Sequence, residues 1–218
     1  MFRKRIYIIL ILIMLLSFPL ATFAEIDDFE VVRFYQQDVT GEGPLPYNYR
    51  IIDLRIHAGG HPLNPQTRNG KEDFSNTDEQ VMKIFKLLKA NGVKVVVDLE
   101  NTARIQARYQ KLLDRAGMKR IHVPLHSGKV PNQDEWKIIK AAMENPVYIH
   151  CKWGADRTGA VVGRYLVEEK GYAPEIAYAA VLSGGTHTGV LGGLKEGQSY
   201  EKLKAFIWNG ATQVSASQ

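Results

Sequence analysis

Cysteine is almost missing: the chain has one among 218 residues. An intramolecular disulfide is therefore excluded, and no His/Cys/Asp cluster shows metal-ligand spacing along the chain. Internal repeats and long low-complexity segments are also absent. A basic patch interleaved with aromatics is missing too, which argues against a nucleic-acid partner. The net charge of +5 points the same way once its source is found. Arg3, Lys4 and Arg5 supply three of those charges, and without residues 1–24 the balance falls to +2.

That N-terminal stretch has a basic start, an almost unbroken apolar run from Ile6 to Leu16, and the small-residue ending Thr22-Phe23-Ala24. The pattern predicts a secretory signal peptide over 1–24. The alternative is an uncleaved anchor, but the run is short for a span of about 20 residues. The expected protein is therefore exported, periplasmic or secreted, with no stable membrane span after cleavage. Residues 25–43 read as a lead-in, 44–210 as one domain with 45% apolar composition over the chain, and 211–218 as a polar tail. Oligomeric state is not legible in the chain.

Within the domain, strand and helix patterns alternate. "YRIIDLRIHAGGHPLNP" predicts one or two strands broken at Gly59-Gly60. Thr77 to Ala90 predicts a helix with Thr77 as cap and Asn91-Gly92 as stop. Val93 to Leu99 reads as a buried strand, Thr102 to Ala116 as a helix closed by Gly117, and Arg120 to Leu125 as a strand. Asn132 and Glu135 suggest a capping box. Val147 to Ile149 is a strand, Thr158 to Lys170 a helix, Pro174 to Leu182 another, and Tyr200 to Trp208 the last. The implied fold class is α/β, with a central, mostly parallel sheet flanked by helices. Ligands bind beyond the carboxyl ends of such strands.

The cysteine stands there, in "VYIHCKWGADRTGAVVG" (147–163). A lone cysteine is either a buried inert thiol or a reactive one. Here a strand runs into a loop with a glycine, and a helix follows. Backbone N–H groups in such a turn can form a nest for an anion, and a helix start adds more. Gly154 allows close backbone approach, and Arg157 adds a planar fork suited to phosphoryl oxygens. The same groups favour a thiolate at Cys151, since helix N-termini and nearby arginine bring a cysteine from about 8.5 into the range of about 3.5–7.5. Thr158 can donate to the sulfur. His150 should face away and brace the loop. Lys152 adds charge at the rim, while Trp153 either shapes the rim or packs beneath it.

"HCKWGADRTG" resembles the signature loop of the cysteine-dependent protein tyrosine and dual-specificity phosphatases, and "VKVVVDLEN" and "RIHAGGHP" resemble their early strands. The likeness runs from about Tyr47 to Trp208. It implies a dual-specificity-phosphatase-like fold, a phosphocysteine on Cys151, and a phosphate cradle from Lys152, Trp153, Gly154, Ala155, Asp156 and Arg157. No cofactor or metal is implied. The expected partner is a phosphorylated small molecule or a phosphoprotein, with phosphotyrosine and phosphoinositide or inositol phosphate both open.

Two departures stand out. The family's "DLR" reads Asp98-Leu99-Glu100, and its loop aspartate is missing from "PLHSGKVPNQDE", where His126 and Ser127 stand. Asp156, placed as in the myotubularin and Sac-type phosphoinositide phosphatases, ranks first as general acid, then His126, then Asp134. A substrate with several phosphates would suit Lys152 and Lys129. His61, Asn64 and Arg68 either line the pocket or form loop surface, and "SGGTHTGVLGG" with His187 is a candidate mobile loop. Two other classes remain: a phosphate-binding module without catalysis, and a thiol sulfurtransferase.

Overall fold

The computed structural model describes residues 39–66, 72–126, 129–183 and 198–216. The expected leader, Arg68, Ser127 and His187 lie outside them. Among the described residues no helix is long and apolar enough to cross a membrane.

Strands β1 (Arg50–Ile52), β2 (Ile56–Gly60), β3 (Val95–Asp98), β4 (Lys119–His122) and β5 (Val147–Cys151) form one sheet in the order β1-β2-β5-β3-β4. Only the β1–β2 pair is antiparallel; β2–β5, β5–β3 and β3–β4 are parallel. The helices are α1 (Asp78–Ala90), α2 (Ala103–Ala116), α3 (Gln133–Ala142), α4 (Asp156–Glu168), α5 (Pro174–Ser183) and α6 (Gln198–Ala216).

Side chains on a strand alternate between faces. Val96 and Tyr148 join the cluster built by Val81, Ile84, Phe85 and Leu88 of α1 and Tyr109, Leu112 and Leu113 of α2. Cys151 is three residues beyond Tyr148, so it faces the other side, towards α4. Local signals set the helix ends as expected. Thr77 and Asn132 each form a capping box, with Gln80 and Glu135 respectively. Gly117 closes α2 at φ 64°, a left-handed turn that glycine makes without a Cβ clash.

Three elements differ from the sequence reading. The break falls at the hairpin turn Asp53-Leu54, both at positive φ (52° and 59°), whereas Gly59 and Gly60 lie inside β2. Those glycines make room: a Cβ on Gly59 would stand 2.8 Å from the Tyr148 hydroxyl. Helix α4 starts at Asp156, two residues before the expected Thr158. The last helix runs on to Ala216, through most of the expected tail. Gly210 lets it cross α4 closely, since a Cβ there would meet Val167 at 2.8 Å.

Three buried histidines make the fold acid-sensitive. Burial lowers His57 to about 4. Burial, with His150 and Arg120 nearby, lowers His61 well below its ordinary value. Burial lowers His150 too, against the pull of Asp98. The unfolded chain, with histidines near 6.5, takes up protons first as pH falls. Their stabilising contribution is full above about 6.5 and is lost below it, down to about 4 for His57. Each costs up to about 1.4 kcal/mol per pH unit in that window. Urea unfolding should therefore show clearly lower stability at pH 5 than at pH 7; equal stability at the two would contradict this.

Candidate active site

Cys151 ends β5 and is 3% exposed. The loop after it is gripped from outside. Lys152 O accepts from His61 N at 3.0 Å and from Asn64 Nδ2 at 2.5 Å. Trp153 O accepts from Asn48 Nδ2 at 3.0 Å, and Gly154 O accepts from Arg50 Nη1 at 2.8 Å. In a trans peptide the carbonyl and the following N–H point in opposite directions. With these carbonyls turned out to the scaffold, the N–H groups of Trp153, Gly154 and Ala155 turn inward. Helix α4 opens immediately afterwards, so the N–H groups of its first turn have no carbonyl within the helix to bond. Gly154 takes φ +67°, and a Cβ there would overlap the Gly59 carbonyl carbon. The loop backbone thus lies directly on the end of β2.

Arg157 is fixed from the strand ends. Its Nη1 donates to Leu125 O at 2.6 Å and Leu99 O at 3.2 Å, and its Nη2 to Glu100 Oε2 at 2.9 Å. Burial alone would lower its pKa; the Cys151 sulfur and the Glu100 carboxylate outweigh that and hold it above the ordinary arginine value. Glu100 is 2% exposed on its side chain and also accepts from the Thr102 hydroxyl at 2.6 Å. Glu100 was thus missed as a site residue; an acidic side chain at the end of a buried strand was the available signal.

His150 faces away from the loop, as expected, and a backbone hydrogen bond ties it to Cys151 at the loop's start. Its Nε2 bonds the Tyr109 hydroxyl at 2.8 Å, and its Nδ1 faces Asp98 Oδ1 at 3.7 Å. His61 and Asn64 also hold the loop, through Lys152 O, and both are buried, so they are not loop surface. Thr158 is buried, and its hydroxyl has no hydrogen-bond partner among the described residues, so the expected bond to the sulfur is not made. Trp153 packs inward, edge-on to Tyr47 with centroids 5.5 Å apart. Lys152 pairs with Asp73 and lies over the Phe74 ring, and Lys129 pairs with Glu135 at 2.8 Å. Asp134 pairs with Lys137 on the first turn of α3, with its side chain 88% exposed. Asp156 is buried on the first turn of α4. His126 is exposed and follows Leu125, whose carbonyl holds Arg157.

Folding also gathers His61, Asp98 and His150, with potential ligand atoms within 4.8 Å of one another, a cluster that spacing along the chain does not reveal. His61 Nε2 in it is buried with no hydrogen-bond partner among the described residues. His61 Nδ1 accepts from Leu63 N at 3.1 Å, so the neutral ring carries its proton on Nε2. Asp98 is already paired with Arg120 at 2.5 Å. The cluster is a polar core beneath the loop.

Residues 72–171 match a family model described as Tc-R-P, polymorphic toxin system, DSP-PTPase phosphatase. Over that stretch the chain matches the phosphatase domain of the cysteine-dependent protein tyrosine and dual-specificity phosphatase superfamily. The matched domain is that of a phosphoric monoester hydrolase. The superfamily's fold recurs in solved structures. TpbA of P. aeruginosa is 18% identical with a TM-score of 0.55, over 78% of this chain and 91% of that one. PTPMT1 is 20% identical with a TM-score of 0.53, over 77% and 99%. The catalytic core of SIW14 from S. cerevisiae, a PP-IP phosphatase, is 14% identical with a TM-score of 0.53, over 81% and 95%. No curated protein matches the chain.

Proposed function

We propose that Cys151 is the nucleophile of a two-step phosphatase. Its thiolate attacks phosphorus; the S–P bond forms and the bond to the leaving oxygen breaks. Water then breaks the S–P bond and releases phosphate. The inward amides of the loop and Arg157 hold the phosphoryl oxygens through both steps. The observation that carries this reading is the outward turn of the Lys152, Trp153 and Gly154 carbonyls directly after Cys151. The buried Thr158 hydroxyl, which has no hydrogen-bond partner among the described residues, supports the reading as a donor that lacks an acceptor.

Asp156 is the general acid of this proposal. It protonates the leaving oxygen, and its carboxylate then takes a proton from the attacking water. Its place beside Arg157, inside the loop–helix junction, supports that role. Asp156→Asn is expected to slow poor leaving groups such as alkyl phosphates by about 10²–10⁴-fold and para-nitrophenyl phosphate far less. Equal slowing of both would move the acid elsewhere.

For substrate, we propose the phosphotyrosine class. Lys152 and Lys129, the cations that would greet further phosphates, are each paired with a carboxylate. A TpbA variant has been crystallised with phosphotyrosine. Phosphate release should be faster from a phosphotyrosine peptide than from inositol hexakisphosphate; the reverse order would contradict the assignment. The basic-apolar-small N-terminus, together with the toxin-system description of the matching family, supports export of the protein. Cleavage after Ala24 in a secreting host checks it, and retention in the cytoplasm would overturn it.

A further inference from the structure

Arg50 sits on edge strand β1 and is 4% exposed. Nothing in the signature loop calls for it, and it lies 104 residues away from its contact there. Its Nη1 donates to two carbonyls, Asn48 O and Gly154 O, each at 2.8 Å. Asn48 itself takes φ +53°, a left-handed conformation that asparagine tolerates. That turn aims its side-chain amide at Trp153 O. One short segment, Asn48 to Arg50, therefore holds two successive carbonyls of the loop.

The Gly154 carbonyl is the one that needs holding. Turning over the peptide after Gly154 takes rotation about Gly154 ψ, which the missing Cβ leaves free, and about Ala155 φ, which stands at −95°. In that orientation the carbonyl would point into the loop and the Ala155 N–H out of it. A negative dipole would then replace a positive one at the place where an anion binds. A guanidinium, charged at all working pH values and removed from water, supplies a charge-assisted bond that selects one orientation.

We propose that Arg50 is a positioning residue of the phosphate site: it fixes the Gly154–Ala155 peptide with the amide inward, and so sets the loop's affinity for oxyanions and the reactivity of the Cys151 sulfur. The proposal rests on the phosphatase reading of the loop. Arg50 touches the outer face of that loop and meets no substrate.

The test uses the full chain as Arg50→Met and Arg50→Lys, with folding followed by urea denaturation. Three quantities are read: tungstate affinity by calorimetry, iodoacetamide alkylation of Cys151 at pH 6 and pH 9, and hydrolysis of para-nitrophenyl phosphate. Arg50→Met is expected to bind tungstate at least about tenfold more weakly, the loss of one hydrogen bond from a charged donor. It should slow alkylation at pH 6 by a similar factor and leave the rate at pH 9, where thiols ionise unaided, nearly unchanged. Arg50→Lys should fall between it and the natural protein. A folded Arg50→Met with natural tungstate affinity and natural alkylation at both pH values overturns the proposal. If Arg50→Met does not fold, the same natural values in Arg50→Lys overturn it. Tungstate binding and alkylation do not depend on turnover. A natural protein that binds tungstate but hydrolyses nothing would sink the phosphatase reading alone, and Arg50 would keep its role.

Discussion

Cys151→Ser is expected to lower turnover of para-nitrophenyl phosphate by at least about 10⁴-fold and to leave tungstate binding within a few-fold of the natural protein. The two halves have different physical origins. Oxyanion binding comes from backbone amides and Arg157, none of which the substitution removes. Turnover needs a polarisable anionic nucleophile, and a serine hydroxyl in the same loop stays protonated because its intrinsic acidity is many orders of magnitude weaker. The structure makes the exchange sterically mild, since Cys151 is almost fully enclosed and oxygen is smaller than sulfur. Retained turnover would remove the covalent mechanism. Loss of tungstate binding together with turnover would mean that the sulfur shapes the cradle and does not merely attack from it.

The second large effect concerns the ion pair behind the cradle. Arg157→Met is expected to lower kcat/KM by about 10³-fold or more, because the only guanidinium assigned to the transition state is gone. It should also destabilise the fold by about 3–5 kcal/mol, since it strands the enclosed Glu100 carboxylate without its partner. Rate and stability are separated by Glu100→Gln. The amide keeps the shape and an acceptor oxygen, so stability should fall little. The guanidinium loses the anion that fixes its plane, so kcat should fall by about 10-fold. The Lys152, Trp153 and Gly154 carbonyls are held by other residues, so tungstate should still bind. Natural kcat in Glu100→Gln would show that Leu99 O and Leu125 O suffice to orient Arg157.

Much of this site was legible because its members are neighbours along the chain. Cys151 to Thr158 contain the proposed nucleophile, the turn glycine, the guanidinium and the helix start within one stretch. Helix ends were legible for the same reason, since Thr77 with Gln80 and Asn132 with Glu135 act over three residues. What escaped is long-range. Asn48, Arg50, His61 and Asn64 reach the loop from the far end of the domain, and nothing in their local pattern marks them as donors to it. Glu100 looked like a departure from the family's strand ending and proved to be the partner of Arg157. Lys152 read as a free cation because its counter-charge, Asp73, lies in another loop. Gly59-Gly60 read as a breaker because glycine's usual local meaning is a turn; here the pair makes space for Tyr148 and the Lys152–Trp153 backbone. Local rules predicted local structure, and tertiary approach decided the remainder.

The central claim is a covalent phosphoryl group on one sulfur. Rapid acid quenching of the natural protein during turnover of para-nitrophenyl phosphate, followed by intact-mass and peptide mapping, reads it directly. The account predicts a species heavier by one phosphoryl group, located on Cys151, and absent from Cys151→Ser. Steady turnover with no adduct at any quench time, or an adduct on another residue, would contradict it.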